Sequence, residues 1–263
     1  MTHWQRYVFW FASPARALAL AQRLAGPLMG LAVALLLPGL WLALVSTPAD
    51  AVQGEGYRII YLHVPASWMA MFTYALMAAW HATGLIWRTK VSHLMAHALA
   101  PTGAAFALLS LVTGALWGQP MWGTWWVWDA RLTSSLLLLF LYIGYLFLQH
   151  AYDSPTRADK GCALLCLLSV VNLPVIYFSV RWWNTLHQGA TIRPEGASMA
   201  APMLAALLLM LLAAWAYTAS TALRRFGLLL QEREAQTQWL GEWADDTADH
   251  MTNDTMTGGA HAD

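Results

Sequence analysis

The chain has 263 residues, of which 59% are apolar and only 11% charged, and its formal net charge is zero. A soluble domain carries about 25% charged residues, and each charge at bilayer depth costs roughly 2.5–3.5 kcal/mol, so the deficit is that of a polytopic membrane protein. Zero net charge removes the electrostatic case for nucleic acid. Cys162 and Cys166, the two cysteines, lie four apart in an apolar run and suit small core positions better than a disulfide framework or a zinc site. No Cys-x-x-Cys-His run occurs, so the chain is not itself a c-type cytochrome.

Residues 1–25 contain Trp4, Trp10, Arg6, Arg16 and Arg23 and read as an amphipathic cytoplasmic segment on the membrane face. Ser13-Pro14 has the form of a helix start, Ser as N-cap and Pro at the first helical position. A signal peptide fits poorly, because the apolar run 27–45 exceeds the usual length of about 7–15 residues. Six segments reach the roughly 20 apolar residues of a membrane span: 26–46, 64–87, 97–117, 132–150, 162–180 and 198–220. The predicted fold is an all-α integral membrane protein with six transmembrane helices. Pro38 and Pro174 are expected to kink their spans, while Pro101 and Pro202 fall near span starts, where a missing N–H costs little. Residues 221–240 look amphipathic, and 241–263 carry Glu242, Asp245, Asp246, Asp249, Asp254 and Asp263 without Lys or Arg, the composition of a disordered acidic tail. The expected organisation is a 1–25 interfacial segment, a 26–220 membrane domain and a 221–263 cytoplasmic helix and tail.

With both termini on one side, the segments on that side hold ten Lys and Arg, against four on the other: Arg58, Arg131, Arg181 and Arg193. The positive-inside rule then puts the termini in the cytoplasm. The loops at 47–63, 118–131 and 181–197 face outward.

The middle loop lies in the most unusual stretch of the chain, 117–135, WGQPMWGTWWVWDARLTSS. Trp117, Trp122, Trp125, Trp126 and Trp128 fall there within twelve residues. Interfacial belts of Trp and Tyr account for Trp41, Trp80, Trp87 and Trp215. They account poorly for three indoles at consecutive and alternate positions, which cannot share one helical face. Gly118, Pro120 and Gly123 argue for a turning loop that packs several rings onto one flat apolar object. Asp129 suits the N-cap of span four, a role as strong as ligand contact. Arg131 is equally suited to a carboxylate of a ligand, to lipid phosphate or to Asp129.

Sorting the nine histidines by side leaves two on the outer face. His3, His93, His97, His150, His250 and His261 fall on or near the inner side. His81 lies 18 residues beyond His63, roughly 27 Å along the same helix. His63, in YLHVPASW, and His187, in RWWNTLHQGA, stand on either side of the tryptophan loop in sequence, with Trp68 and Trp182-Trp183 nearby. A lone interfacial histidine is commonly just that. Two imidazoles beside an aromatic wall also suit axial ligation of haem iron, and the residues alone leave both readings open.

WGTWWVWDARLTS resembles the tryptophan-rich WWD signature of the haem-handling superfamily of cytochrome c biogenesis. Within it the chain is most similar to the haem exporter protein C (cytochrome c maturation protein C) family of system I. Six spans, YLHVPASW before the motif and WWNTLHQG after it carry the resemblance over about residues 26–220. It implies haem b, as transient cargo, held at the periplasmic face of the bacterial inner membrane. His63 and His187 would be the axial iron ligands, and Trp122, Trp125, Trp126, Trp128, Asp129 and Arg131 would form the platform. It implies presentation to a membrane-tethered periplasmic haem chaperone that captures a vinyl group covalently. The other implied partners are the membrane and ATPase subunits of an ABC transporter and a small single-span subunit. No Gly-rich Lys-type nucleotide motif occurs, so ATP hydrolysis would belong to partners, and haem transfer would proceed by positioning rather than by catalysis in this chain. The alternative is a membrane subunit that itself moves haem across the bilayer.

Overall fold

The computed structural model describes residues 13–187, 192–193, 196–197, 199–235, 237 and 239–241. The interfacial residues 1–12, the acidic tail from 242 onward, and His3, His250 and His261 lie outside the described residues. The helices are α1 Pro14–Trp41, α2 Ile60–Trp87, α3 Lys90–Trp122, α4 Ala130–His150, α5 Pro155–Ser169, α6 Asn172–Trp182 and α7 Ala201–Glu234. With α5 and α6 following one another in a single span, six helical segments among the described residues are long and apolar enough to cross a membrane, and the protein is an all-α integral membrane protein. Extended pairing among the described residues amounts to Ile192 with Ala197 and Arg193 with Gly196, in β1 Ile192–Arg193 and β2 Gly196–Ala197, plus one isolated bridge, Asp50 with Gly54.

Proline explains most of the helix boundaries. Pro14 opens α1 behind an extended Ser13, as the Ser-Pro pair predicts. Pro38 lies inside α1, and four residues later the helix widens into a π-turn, Leu42–Ser46, closed by Thr47 N–H donating to the carbonyl of Leu42, its first residue. The fifth span breaks at Val170–Val171, just ahead of Pro174, where the ring removes a backbone donor and crowds the preceding turn. Pro202 sits in the first turn of α7 as expected. Pro101 does not sit near a start: α3 begins at Lys90, because His93 and His97, which made 90–97 read as polar, are buried inside the bundle.

The core is layered along the membrane normal. Tyr74, Met77, Leu138, Tyr142 and Tyr145 fill the middle. Tyr142 lies so close to α3 that a Cβ on Gly103 would be 2.2 Å from its hydroxyl. Leu18, Val91, Leu94, Phe226 and Leu230 close the end holding the starts of α1 and α3 and the finish of α7. Ala43, Tyr57, Tyr61, Leu207 and Met210 close the other end. The 118–129 region, the 47–59 connection and the segment after Trp182 gather at that second end. Trp117 Nε1 donates to Gln53 Oε1 at 3.0 Å, and the rings of His63 and His187 are neighbours.

The first end holds a buried polar chain that composition did not reveal. His93 Nδ1 and His81 Nδ1 are 2.9 Å apart, His81 Nε2 is 2.7 Å from Tyr145 Oη, Tyr145 Oη is 2.8 Å from His97 Nδ1, and His97 Nε2 is 2.9 Å from Asp159 Oδ1. Arg233 of α7 donates to both oxygens of Asp159 at 3.0 and 3.2 Å. Lys90 pairs with Glu234, which also accepts from Trp239 Nε1. Cys162 and Cys166 are free and fully buried beside this layer, as small core residues.

Candidate functional site

At the second end α2, α3, α4 and α6 surround a cavity of about 920 Å³, counting its open mouth. Its floor is apolar: Ala70 and Met71 of α2, Ala107 and Leu111 of α3, Leu138 of α4 and Ile176 of α6. Its rim is aromatic, with Trp117 and Trp122 from α3 and Trp125 and Trp126 from the loop that follows. A concave apolar wall with convergent polar groups is the form of a small-molecule site.

Local geometry explains how the tryptophans reach the rim. Helix α3 runs through Gly118 and Pro120 and ends only at Gly123, whose φ of +74° supplies the left-handed cap. Trp117 and Trp122 are therefore helical, and the turning loop is shorter than the glycine and proline pattern predicts. At Gly118 a Cβ would sit tightly against Thr124 O and the Trp122 ring, at 3.2 and 3.3 Å. The loop is then closed by Asp129, whose carboxylate accepts from Leu132 N–H at 2.7 Å and caps α4. Asp129 does not line the cavity. Neither does Trp128, which is 77% exposed and meets Trp126 edge to face.

The two outer histidines, 124 residues apart in sequence, come together across the cavity. Their ring centroids are 6.2 Å apart, with planes inclined by 35°. A metal–imidazole bond is about 2.0–2.1 Å, and ring nitrogens lie about 1 Å from the ring centre, so trans imidazoles on one ion have centroids roughly 6 Å apart. Among the described residues no group of three or more His, Cys, Asp or Glu is suited to a metal ion. Two imidazoles at this spacing leave room for one ion between them.

His63 is buried in the first turns of α2, and both partners of its Nδ1 are acceptors. Ser110 O lies 3.1 Å away, and Thr113 Oγ1, also at 3.1 Å, spends its own hydrogen on Leu109 O. Nδ1 thus carries the proton, and the Nε2 lone pair is left for a ligand. Trp117 meets the ring edge to face at 5.7 Å. His187 is half-buried on irregular chain after α6, where its N–H donates to Thr185 Oγ1 at 3.0 Å.

The cationic groups of this end divide clearly. Arg58 is taken up by the end of α1, bonding Ala43 O, Thr47 Oγ1 and Thr47 O and pairing with Glu55. Arg181 lies over the Phe178 ring. The side chain of Arg193 lies outside the described structure. Arg131 lines the cavity, and among the described residues its side chain makes one long hydrogen bond, to Ile176 O at 3.4 Å. Trp126 also lines the cavity, and its Nε1 is buried without a described partner, as is Oδ2 of Asp129. A guanidinium and an indole N–H in one cavity lining are donors suited to an anion.

Three expected neighbours are elsewhere. Trp68 stacks on Phe72 and Trp182 on Phe178, and neither they nor Trp183 line the cavity. Trp68 is five residues beyond His63, about 140° around the helix. The polar residues Ser67, Ser110, Thr113 and Ser135 were missed in the sequence because isolated hydroxyls in apolar spans are common. Only their spacing to His63 in three dimensions gives them meaning.

Fold and site define a class: a six-span membrane protein with an aromatic two-histidine cavity at one membrane surface. The profile of Heme exporter protein C matches residues 7–241. The chain is 58% identical to Heme exporter protein C of Escherichia coli strain K12 over 144 residues, 55% of this chain and 59% of that protein. It is 43% identical to Heme exporter protein C of Haemophilus influenzae over 231 residues, 88% of this chain and 94% of that protein. A putative cytochrome c biosynthesis ccmC-like mitochondrial protein of Marchantia polymorpha is 46% identical over 165 residues, 63% of this chain and 70% of that protein. The chain thus spans about three fifths of the Escherichia coli relative's length and nearly all of the Haemophilus one. It belongs to the Heme exporter protein C family.

Proposed function

We propose that the cavity receives haem b at the periplasmic face of the inner membrane and presents it to a periplasmic haem chaperone during c-type cytochrome maturation. The observation that carries this reading is the pair His63 and His187 at 6.2 Å across an apolar, indole-rimmed cavity. Neutral imidazoles are standard haem ligands, and two of them give a low-spin six-coordinate iron. Trp117, Trp122, Trp125 and Trp126 cover the macrocycle, and Arg131 with Trp126 Nε1 binds a propionate. Trp125 and Trp128, more than half exposed, stand at the mouth, where the chaperone meets the cargo.

The chain contributes positioning, not acid–base chemistry. Holding the ring by two axial bonds and one carboxylate fixes which edge faces out, and a fixed orientation is the main gain in a reaction between two bound partners. Release requires two iron–nitrogen bonds to break, and ATP-driven partners, the membrane and ATPase subunits of an ABC transporter with a small single-span protein, supply that work.

The test is the visible spectrum of the purified protein and the covalent loading of the chaperone. His63→Ala and His187→Ala each lose the low-spin spectrum and load poorly. Retention of both properties in both variants would sink the axial assignment.

A further inference from the structure

The surroundings of His63 are more built than ligation alone requires. Thr113, one helical turn beyond Leu109, turns its hydrogen back onto the Leu109 carbonyl at 2.6 Å and offers a lone pair to His63 Nδ1. The Ser110 carbonyl offers a second. On the opposite edge of the ring, Ser67 Oγ is 3.4 Å from Nε2 and 2.6 Å from Ser110 Oγ. Gly114 leaves room for the ring, since a Cβ there would be 3.0 Å from His63 Cε1. The same four-residue run of α3, Ser110 to Thr113, thus touches both nitrogens of one imidazole, directly on one edge and through Ser67 on the other.

We infer that Thr113 and Ser67 are opposed positioning residues for His63, Thr113 reinforcing the Nδ1–H bond to the Ser110 carbonyl that sets the ligating tautomer and Ser67 holding the ligating nitrogen while no iron is bound. This rests on the proposed axial role of His63 and adds how the strength of that bond is set. An acceptor on Nδ1–H raises imidazole basicity and strengthens the metal bond. A hydroxyl donating to Nε2 competes with the metal for the same lone pair and stabilises the unligated state. When iron takes Nε2, Ser67 keeps its bond with Ser110 Oγ. A carrier that must release its cargo needs both effects, one to accept haem in a defined orientation and one to let it go.

The experiment compares Thr113→Val, Thr113→Ser and Ser67→Ala in the full-length protein. Haem affinity, the midpoint potential of bound haem and the dissociation rate into an excess of apomyoglobin are read for each. Outer-shell partners of metal-bound histidine are worth about 10–100-fold in affinity. Thr113→Val is expected to weaken haem by about that factor and shift the potential upward, and Thr113→Ser to restore both. Ser67→Ala is expected to slow dissociation severalfold. Nitrogen-15 spectra of histidine-labelled protein without haem give a readout free of cargo: His63 is protonated at Nδ1 in the wild type and, because the Ser110 carbonyl still accepts, in Thr113→Val, where loss of one of the two acceptors moves the Nδ1 shift. Unchanged affinity, potential and Nδ1 shift in Thr113→Val overturn the role of Thr113, and an unchanged dissociation rate in Ser67→Ala overturns that of Ser67. A His63→Ala variant that keeps the low-spin spectrum instead removes the axial reading itself, so the two failures are told apart.

Discussion

Asp129 and Arg131 are two residues apart in one motif, yet the structure separates their roles. Asp129 caps α4 through Leu132 N–H and stays off the cavity wall, while Arg131 faces the cavity. Losing such a cap costs about 0.5–2 kcal/mol. Asp129→Ala is expected to lower thermal stability in detergent by that amount, whereas Asp129→Ser keeps a capping oxygen and both stability and haem spectrum. A loss of haem in Asp129→Ser at unchanged stability would instead make the carboxylate a ligand contact. Arg131 answers to a different test. A hydrogen bond to a charged group contributes about 1.5–3 kcal/mol, so Arg131→Leu should weaken haem by roughly 10–100-fold. The same substitution should leave the affinity for haem dimethyl ester, which has no carboxylate, nearly unchanged. Equal losses for both ligands would move the propionate away from Arg131.

At the scale of elements, the spans and the outer pair of histidines were legible, and the inner polar layer was not. Runs of about 20 apolar residues are set by bilayer thickness, so spans read out directly; the start at Pro14 follows from proline at the first helical position, without a side-chain bond from Ser13, and the start at Ala130 from the Asp129 cap. His93 and His97 misled for a physical reason: a polar residue pushes a predicted span inward unless its partners are known, and these partners come from α2, α4 and α5. The four bonds from His93 to Asp159 need four hydrogens, and three neutral imidazoles with one phenol carry four. One consistent direction then satisfies every link: His93 donates to His81, His81 to Tyr145, Tyr145 to His97 and His97 to Asp159. Arg233 completes the carboxylate and ties the end of α7 to α5. Removing one partner of a buried charged pair typically costs 3–5 kcal/mol. Asp159→Asn is expected to fall in that range by thermal unfolding. Because the layer lies roughly 27 Å along α2 from His63, the haem spectrum of the surviving folded fraction should be unchanged. A spectral change at wild-type stability would show that the two ends are coupled.

The whole molecule has two chemically unlike ends, and its orientation in the membrane is the property on which the proposed function depends. One end carries the Arg233–Asp159 and Lys90–Glu234 pairs, and the other carries the cavity. Lys and Arg are concentrated ten to four toward the first end, which the positive-inside rule assigns to the cytoplasm. In the orientation that rule gives, the cavity opens to the periplasm, where the proposed tethered chaperone would meet Trp125 and Trp128. The native cysteines are fully buried and free, so they give no background to thiol labelling. Val52, 88% exposed in the connection between α1 and α2, and Tyr152, 42% exposed between α4 and α5, report the two ends. A membrane-impermeant maleimide added to intact spheroplasts is expected to label Val52→Cys and to spare Tyr152→Cys until the membrane is opened. The reverse pattern would turn the cavity toward the cytoplasm, and a histidine pair there would serve haem uptake from inside, which is the translocating alternative, rather than presentation outside.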